Sequence, residues 1–500
     1  MSDLLLAIDQ GTTGSTCLVL DPRRTVLGSA NVPFPQHFPA PGLVEHDFEE
    51  IWHSVVEAIG RALAVAAVEA RATPEALARR IAAIGITNQR ETVGILDPST
   101  GRAQGRLLVW QDRRTAGACK RLFREGHERT VRKRTGLLLD PYFSATKIAW
   151  LLDHHDGLRA RARRGEVLAC TVDALLVHRL SGGAAVATDP SNASRTLLWP
   201  LEGGRWDEAM ATLFDVPVAC LPPVLPSNAR FGVTRNVPGL PDGIPIHGIL
   251  GDQQAALFGQ GCFEPKTAKC TYGTGAFVMV NTGDRPVPSK ARLLTTVAWQ
   301  IDDRTTYALE GSAFMAGAVV AWLRDNLGII ERAADVEPLA RSVEDAGGVV
   351  FVPAHAGLGA PHWRPNARAL IQGITRSTTK AHIARAALDG IALQIADLMD
   401  AMAVDVGEPV TVLRVDGGAA ANDLLMQIQA DVLGVDLERP PMLESTAFGA
   451  ASMAGLGVGI FGDLSDLAPT SRSVTAFSRK APADRVQSLR VAYARALGCT

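Results

Sequence analysis

Five hundred residues are too many for one hydrophobic core, and about 150 residues per domain gives two or three domains. With 47% apolar and 20% charged residues and a net charge of −2, the chain has material for large cores but no overall basic field for nucleic acid or membrane. Its seven cysteines form no Cys-x-x-Cys and no pairing with His at ligand spacing, so they read as reduced thiols of a cytoplasmic protein rather than a zinc site.

In chain order, the apolar runs Leu4–Ile8 and Cys17–Leu20 read as strands joined by the turn Asp9-Gln10-Gly11-Thr12-Thr13-Gly14-Ser15. Gly11 and Gly14 are free to take φ > 0 and to turn backbone amides toward an anion, as in phosphate-cradling loops. Asp9 sets one carboxylate at the strand end, where it can hold a hydrated Mg²⁺. No basic region followed by an apolar one precedes this hairpin, and no apolar run is read as long enough to span a membrane.

After a proline-rich loop, Asp47 and Glu50 resemble a capping box that opens a helix running to about Ala70. Ile81–Thr87 is a buried strand by its β-branched content, ending in Asn88-Gln89-Arg90-Glu91-Thr92. Open α/β sheets bind ligands at such strand ends. Arg90 offers only donors and Glu91 only acceptors, a pairing suited to a polyol or, equally, to a surface ion pair. Leu107–Trp110 is a short strand. The basic stretch Arg113–Arg134 has one aromatic, Phe123, and reads as a solvated helix face. Asp140–Ser144 is a turn presenting Tyr142, and His154-His155-Asp156 is a helix end, since three consecutive residues do not converge on one ion. The polar segment Val186–Arg195 has no derivable role. The proline-rich stretch 217–245 is a surface excursion or an inter-lobe segment.

Ile244–Leu250 is a strand, broken at Gly251 and followed by Asp252-Gln253-Gln254 at the start of a helix. Asp252 is either the cap of that helix, an ionised general base in a cleft, or both. The second half repeats the first motif: Lys269-Cys270-Thr271-Tyr272-Gly273-Thr274-Gly275 precedes the apolar run Ala276–Val280. Helical text covers Ala313–Asn326 and Lys380–Val404. The strand Val410–Val415 runs into Asp416-Gly417-Gly418 and, past Asn422, the helix Asp423–Leu433. Glycines between strand and helix admit a flat group such as adenine. Thr446–Gly459 is a small-residue helix. Two Gly-Thr hairpins in a duplicated chain point to two similar lobes and one nucleotide. There is no P-loop and no Rossmann fingerprint.

These stretches, together with Trp110-Gln111-x-Arg113-Arg114-Thr115 and Gly251–Gln260, resemble the FGGY carbohydrate kinases over nearly the full length, nearest to their glycerol-phosphorylating members. The resemblance implies an α/β, actin-like ATPase fold with two ribonuclease-H-like lobes. Residues 1–254 would form the N-terminal lobe, holding the polyol and the first phosphate hairpin. Residues 255–500 would form the C-terminal lobe, holding the second hairpin and the adenosine. ATP would phosphorylate glycerol to sn-glycerol 3-phosphate in the cleft between them.

By motif position, Arg90, Glu91, Tyr142, Asp252 and Gln253 would hold the glycerol hydroxyls, with Trp110 and Phe277 on the carbon side. Asp252 would be the base. Thr12, Thr13, Gly14, Thr274, Gly317, Gly418 and Asn422 would hold the nucleotide, and Asp9 would hold Mg²⁺ through water. The resemblance also implies a homo-oligomer, dimer or tetramer, with no nucleic acid and no membrane insertion. Thr16 and Ala321 depart from the better-known pattern, which has Arg and Gln there. The segment 238–243 lacks the Arg of a bisphosphate-binding loop, and Ser227–Pro245 lacks a regulatory His. The rivals are another sugar or polyol kinase of the same fold, such as one for a pentulose or dihydroxyacetone, and a nucleotide-driven switch of the actin and Hsp70 kind.

Overall fold

The alternating and apolar runs at the N-terminus form strands because their β-branched and leucine side chains fill both faces of a covered sheet. The computed structural model describes residues 3–364, 366–441, 444–468 and 474–500. It divides into two compact units: residues 1–261, 295–307 and 445–468 in the first, and 262–294, 308–444 and 469–500 in the second. The chain therefore crosses between units more than once, whereas the sequence reading placed one boundary after residue 254.

In the first unit a six-stranded sheet runs in the order Arg230–Val233, Pro245–Gly251, Ile81–Asn88, Leu4–Gln10, Gly14–Leu20, Val26–Pro33. The proline-rich excursion thus returns to supply the edge strand Arg230–Val233. Three central strands are parallel, with Gln10 opposite Asn88 and Gly251 opposite Asn88. Their carboxyl ends are level, so Asp9, Arg90 and Asp252 emerge at one edge of one sheet. The sheet is covered by the helix Phe48–Ala70, whose Ile51, Val55, Ile59 and Leu63 are buried. Each such side chain contributes about 1.5–3 kcal/mol of burial.

Asp47 caps that helix through Glu49 N. Glu50 does not complete a capping box; it bonds His37 Nε2 at 2.7 Å instead. By length and mean hydropathy (1.4) this helix passes as a membrane span, contrary to the sequence reading, but 56% of the stretch is buried in the protein, as a core helix requires. On the opposite face lies Ser445–Gly457, which begins one residue before the expected helix and packs in the first unit. Its small residues permit backbone contact: a Cβ on Gly85 would collide with Ala450, and one on Gly449 with Ala255.

The second unit repeats the plan. Its sheet runs from the C-terminal part of Arg304–Ala313 through Ala276–Gly283, Thr267–Tyr272, Val412–Asp416 and Asp436–Arg439 to Thr475–Phe477. Thr267–Tyr272 pairs antiparallel with Ala276–Gly283 and parallel with Val412–Asp416, with Thr271 opposite Asp416. Strand–hairpin–strand plus a parallel neighbour is also the arrangement around Leu4–Gln10. The long helix Lys380–Val406 buries Leu388, Ile391, Ile395 and Leu398 in this unit's core.

Candidate functional site

In the first unit the level strand ends bring Arg90, Glu91 and Asp252 into one ionic chain. Asp252 opens the helix Asp252–Gly259. Its Oδ1 lies 3.0 Å from Arg90 Nε and accepts from Gln253 N at 2.6 Å. The Arg90 side chain is 2% exposed and the Asp252 side chain 31%, so the arginine is locked while the carboxylate faces solvent. Arg90 is fixed on its other side by an Nη1 hydrogen bond to Gln254 Oε1 at 3.0 Å. Gln254 is held in turn by Nε2 bonds to the carbonyls of Ser191 and Val297. A side chain at position 251 would clash with the Arg90 stem at 2.7 Å, so Gly251 lets arginine lie flat across the strand end.

Glu91 has φ +62°, a left-handed backbone that a non-glycine residue keeps only when its surroundings hold it. They do: Arg195 Nε meets Glu91 Oε1 at 2.6 Å, and Ser144 Oγ donates to Glu91 O at 3.0 Å. Arg195 is fully buried and also stacks against the Tyr142 and Phe143 rings. The sequence reading found no role for the 186–195 segment. It is the support of this site: Asp189 caps its own helix and accepts from Ser227 Oγ. Ser191 Oγ accepts from Gly251 N, and Asn192 exchanges hydrogen bonds with Asn88.

Trp110 and Tyr142 meet edge to face, ring centres 5.6 Å apart, forming an aromatic wall. Trp110 Nε1 donates to Thr12 Oγ1 at 2.9 Å, joining that wall to the first hairpin. Within the segment 88–92, Gln89 and Thr92 serve the hairpin rather than a ligand. Gln89 Nε2 shares its two hydrogens among Gln10 Oε1, Gly11 O and His46 Nδ1, and Thr92 Oγ1 donates to Gln89 Oε1 while accepting from Trp110 N. His46 sits in this net with its pKa lowered to about 4 by burial, so it is a neutral spacer.

The hairpin closes through Gly11 N to Gly14 O at 2.9 Å. Neither glycine takes the positive φ expected of it, nor do Gly273 and Gly275. Space is the reason at Gly14 and Gly275: a Cβ on Gly14 would lie 3.1 Å from Val32 O, and one on Gly275 2.6 Å from Ala313 O, whereas one on Gly273 would make only an ordinary contact at 3.7 Å. Thr13 is exposed and Asp9 is half-buried at the strand end.

In the second unit a cavity of about 820 Å³ is lined by Thr274, Gly317, Gly418 and Asn422, four of the residues assigned to the nucleotide, and by Ala321. The expected helix 313–326 begins only at Gly317, because residues up to Ala313 belong to a strand. Its start uses up the hairpin carbonyls: Gly317 N donates to Gly273 O at 2.9 Å, and Ala316 N and Ala318 N donate to Thr274 O. The first amides of this helix are therefore spent on holding the hairpin. Asn422 commits its Oδ1 to capping the helix Asp423–Leu433 through Leu425 N at 2.9 Å, which leaves its amide nitrogen as its remaining side-chain donor. Trp322 stacks on Phe351 and tilts against His355, and burial lowers the His355 pKa. Phe277 lies half-buried on the strand Ala276–Gly283 of this unit.

Among the described residues no group of three or more His, Cys, Asp or Glu is arranged to hold a metal. Asp9, half-buried at the strand end, offers the single carboxylate that a Mg²⁺ held mainly by water and substrate phosphates would use.

The N-terminal domain profile of the FGGY family of carbohydrate kinases matches residues 4–259, and the C-terminal domain profile matches 268–458. The chain is 56% identical over 459 residues to a glycerol kinase of Myxococcus xanthus, covering 91% of each chain. It is 52% identical over 494 residues to one of Alkalilimnicola ehrlichii, covering 99% of this chain and 97% of that one. The crystal structure of Plasmodium falciparum glycerol kinase with ADP superposes with a TM-score of 0.92 at 34% identity, covering 99% of this chain and 98% of that one.

Proposed function

We propose, from the premise that the chain belongs to the FGGY family of carbohydrate kinases and within it to the glycerol kinases, that it transfers the γ-phosphoryl group of ATP to glycerol, giving sn-glycerol 3-phosphate and ADP. The observation that carries this reading is the convergence of Arg90, Glu91 and Asp252 at the level ends of parallel strands. A small polyol needs such alternating donors and acceptors, and its carbons suit the Trp110–Tyr142 wall.

In this reading Asp252 Oδ1 is fixed by Arg90 and Gln253 N, and Oδ2 takes the proton of the attacking hydroxyl. Positioned general bases contribute roughly 10²–10⁴ in rate. Arg90, Glu91, Tyr142 and Gln253 orient the other hydroxyls, and Trp110 and Phe277 are assigned to the carbon side. Thr12, Thr13, Gly14, Thr274, Gly317, Gly418 and Asn422 hold the nucleotide, whose phosphoryl transfer depends mostly on positioning and charge stabilisation. Mg²⁺ held at Asp9 through water supplies charge neutralisation at the phosphate oxygens. The N-terminal lobe is the polyol half and the C-terminal lobe the adenosine half. All seven cysteines are unbridged, six of them buried, which supports a cytoplasmic setting. A homo-oligomer is part of the proposal.

The test is ADP release from MgATP with glycerol, dihydroxyacetone, erythritol, ribitol or xylulose. Strong stimulation by glycerol and weaker stimulation by dihydroxyacetone are expected. Stimulation by xylulose or ribitol instead would overturn the substrate while keeping the base. Turnover indifferent to every polyol would favour a nucleotide switch.

A further inference from the structure

Lys147 lies on the helix Ser144–Asp153 and is completely buried. Its Nζ donates to Tyr142 O at 2.8 Å and to Val109 O at 3.3 Å. Val109 directly precedes Trp110. One ammonium thus ties together the two backbone segments that carry the aromatic wall. Other bonds fix the same segments from outside: Trp110 N to Thr92 Oγ1, Tyr142 N to Asp140 Oδ1 at 2.9 Å, and Ser144 Oγ to Glu91 O.

Burying an ammonium costs several kcal/mol unless it is hydrogen-bonded and compensated by charge. Burial lowers the Lys147 pKa to about 7, while Glu91, Asp112 and Asp140 act to raise it. An apolar side chain of the same length would fill this space without that cost, but would take this donor from the Tyr142 carbonyl and leave Val109 O, which also accepts from Asp112 N at 2.9 Å, untied from the Tyr142 segment. The group is therefore placed for what it fastens.

We propose that Lys147 is a positioning residue for polyol selectivity: by clamping the Val109 and Tyr142 carbonyls it sets the spacing of the Trp110 and Tyr142 rings, and so the length of alcohol the pocket accepts. This rests on reading the Arg90–Asp252 cluster as the glycerol site. A loosened wall weakens the grip on three carbons and tolerates a fourth. The clamp touches neither the nucleotide cavity nor the Asp252 carboxylate.

The experiment compares the full chain with Lys147→Met, Lys147→Gln and, as a control, Thr146→Val, which removes the Thr115–Thr146 hydrogen bond of 2.8 Å on the same helix. Glycerol, erythritol and ATP are each varied, and Tm is recorded for every variant. For Lys147→Met the KM for glycerol should rise about tenfold, with kcat and the KM for ATP within about threefold. The erythritol-to-glycerol ratio of kcat/KM should rise about tenfold. Lys147→Gln, which keeps a donor, should recover part of both effects. Thr146→Val should lower Tm without moving either ratio.

Equal movement of all kinetic parameters with Tm, an unchanged selectivity ratio, or failure of both Lys147 variants to fold would overturn the proposal in favour of a purely structural lysine. If the parent chain does not respond to glycerol, the underlying substrate reading fails instead.

Discussion

Around Gly11–Ser15 the first unit is fastened by side chains, whereas around Tyr272–Gly275 the second is fastened by backbone. The two hairpins share one topology, a strand pair with a parallel neighbour. Yet the first unit's strand ends carry Arg90, Glu91, Arg195 and Asp252, whose charges are chained at 2.6–3.9 Å, while the second unit's hairpin is packed against Gly317, with Gly418 lining the same cavity. The difference follows from the ligands proposed. A polyol is recognised hydroxyl by hydroxyl, which demands donors and acceptors fixed in direction. A triphosphate is recognised by many amides at once, which demands close backbone approach.

Breaking the side-chain region should be the more damaging. Glu91→Ala leaves the buried Arg195 guanidinium without its carboxylate, and such losses cost about 3–5 kcal/mol. A denaturant titration should show it as a lowered midpoint with an unchanged slope. A smaller effect comes from Asp173, buried beneath the same support and bonded by Thr188 Oγ1 at 2.6 Å. Burial raises its pKa from 3.8 to about 7. Between those values the folded chain keeps a proton that the unfolded chain has released, so this contribution is complete below about pH 4 and fades as pH rises toward 7. Asp173→Asn should remove that slope. Relative to the parent, the variant should gain roughly 2–4 kcal/mol between pH 4 and 7, read from Tm across that range.

The backbone region should yield a smaller and more selective loss. A Cβ at position 317 would lie 2.6 Å from Gly273 O, pressing on the hairpin. Gly317→Ala should raise the KM for ATP about tenfold, equivalent to ~1.4 kcal/mol of overpacking, and leave the KM for glycerol unchanged. A parallel rise in both constants would blur the comparison between the regions.

The contrast also explains what the sequence made visible. Hairpins, strand ends and the Asp47 cap are local, so turn residues and periodicity announce them. Arg90 and Asp252 were each readable as strand-end residues, but their alignment, which needs both strands in one parallel sheet, came only through the family resemblance. Arg195 and Lys147 were not readable, because their importance lies in partners 104 residues away for Glu91 and 38 residues away for Val109. The capping box at Glu50 fails for the same reason: His37 competes for the carboxylate. The return of Ser445–Gly457 to the first unit was hidden because a helix of small residues carries no face that names its partner. Glycine was noticed in the first hairpin for torsional freedom, whereas at Gly14 it is the missing Cβ that matters.

The account turns on Asp252 as the base held by Arg90 and aimed at a polyol hydroxyl. The most direct measurement is turnover and glycerol binding by Asp252→Asn, using ADP release for the first and calorimetry for the second. The account predicts a loss of roughly 10²–10⁴ in kcat, with glycerol still binding measurably. Near-normal turnover in that variant would contradict it.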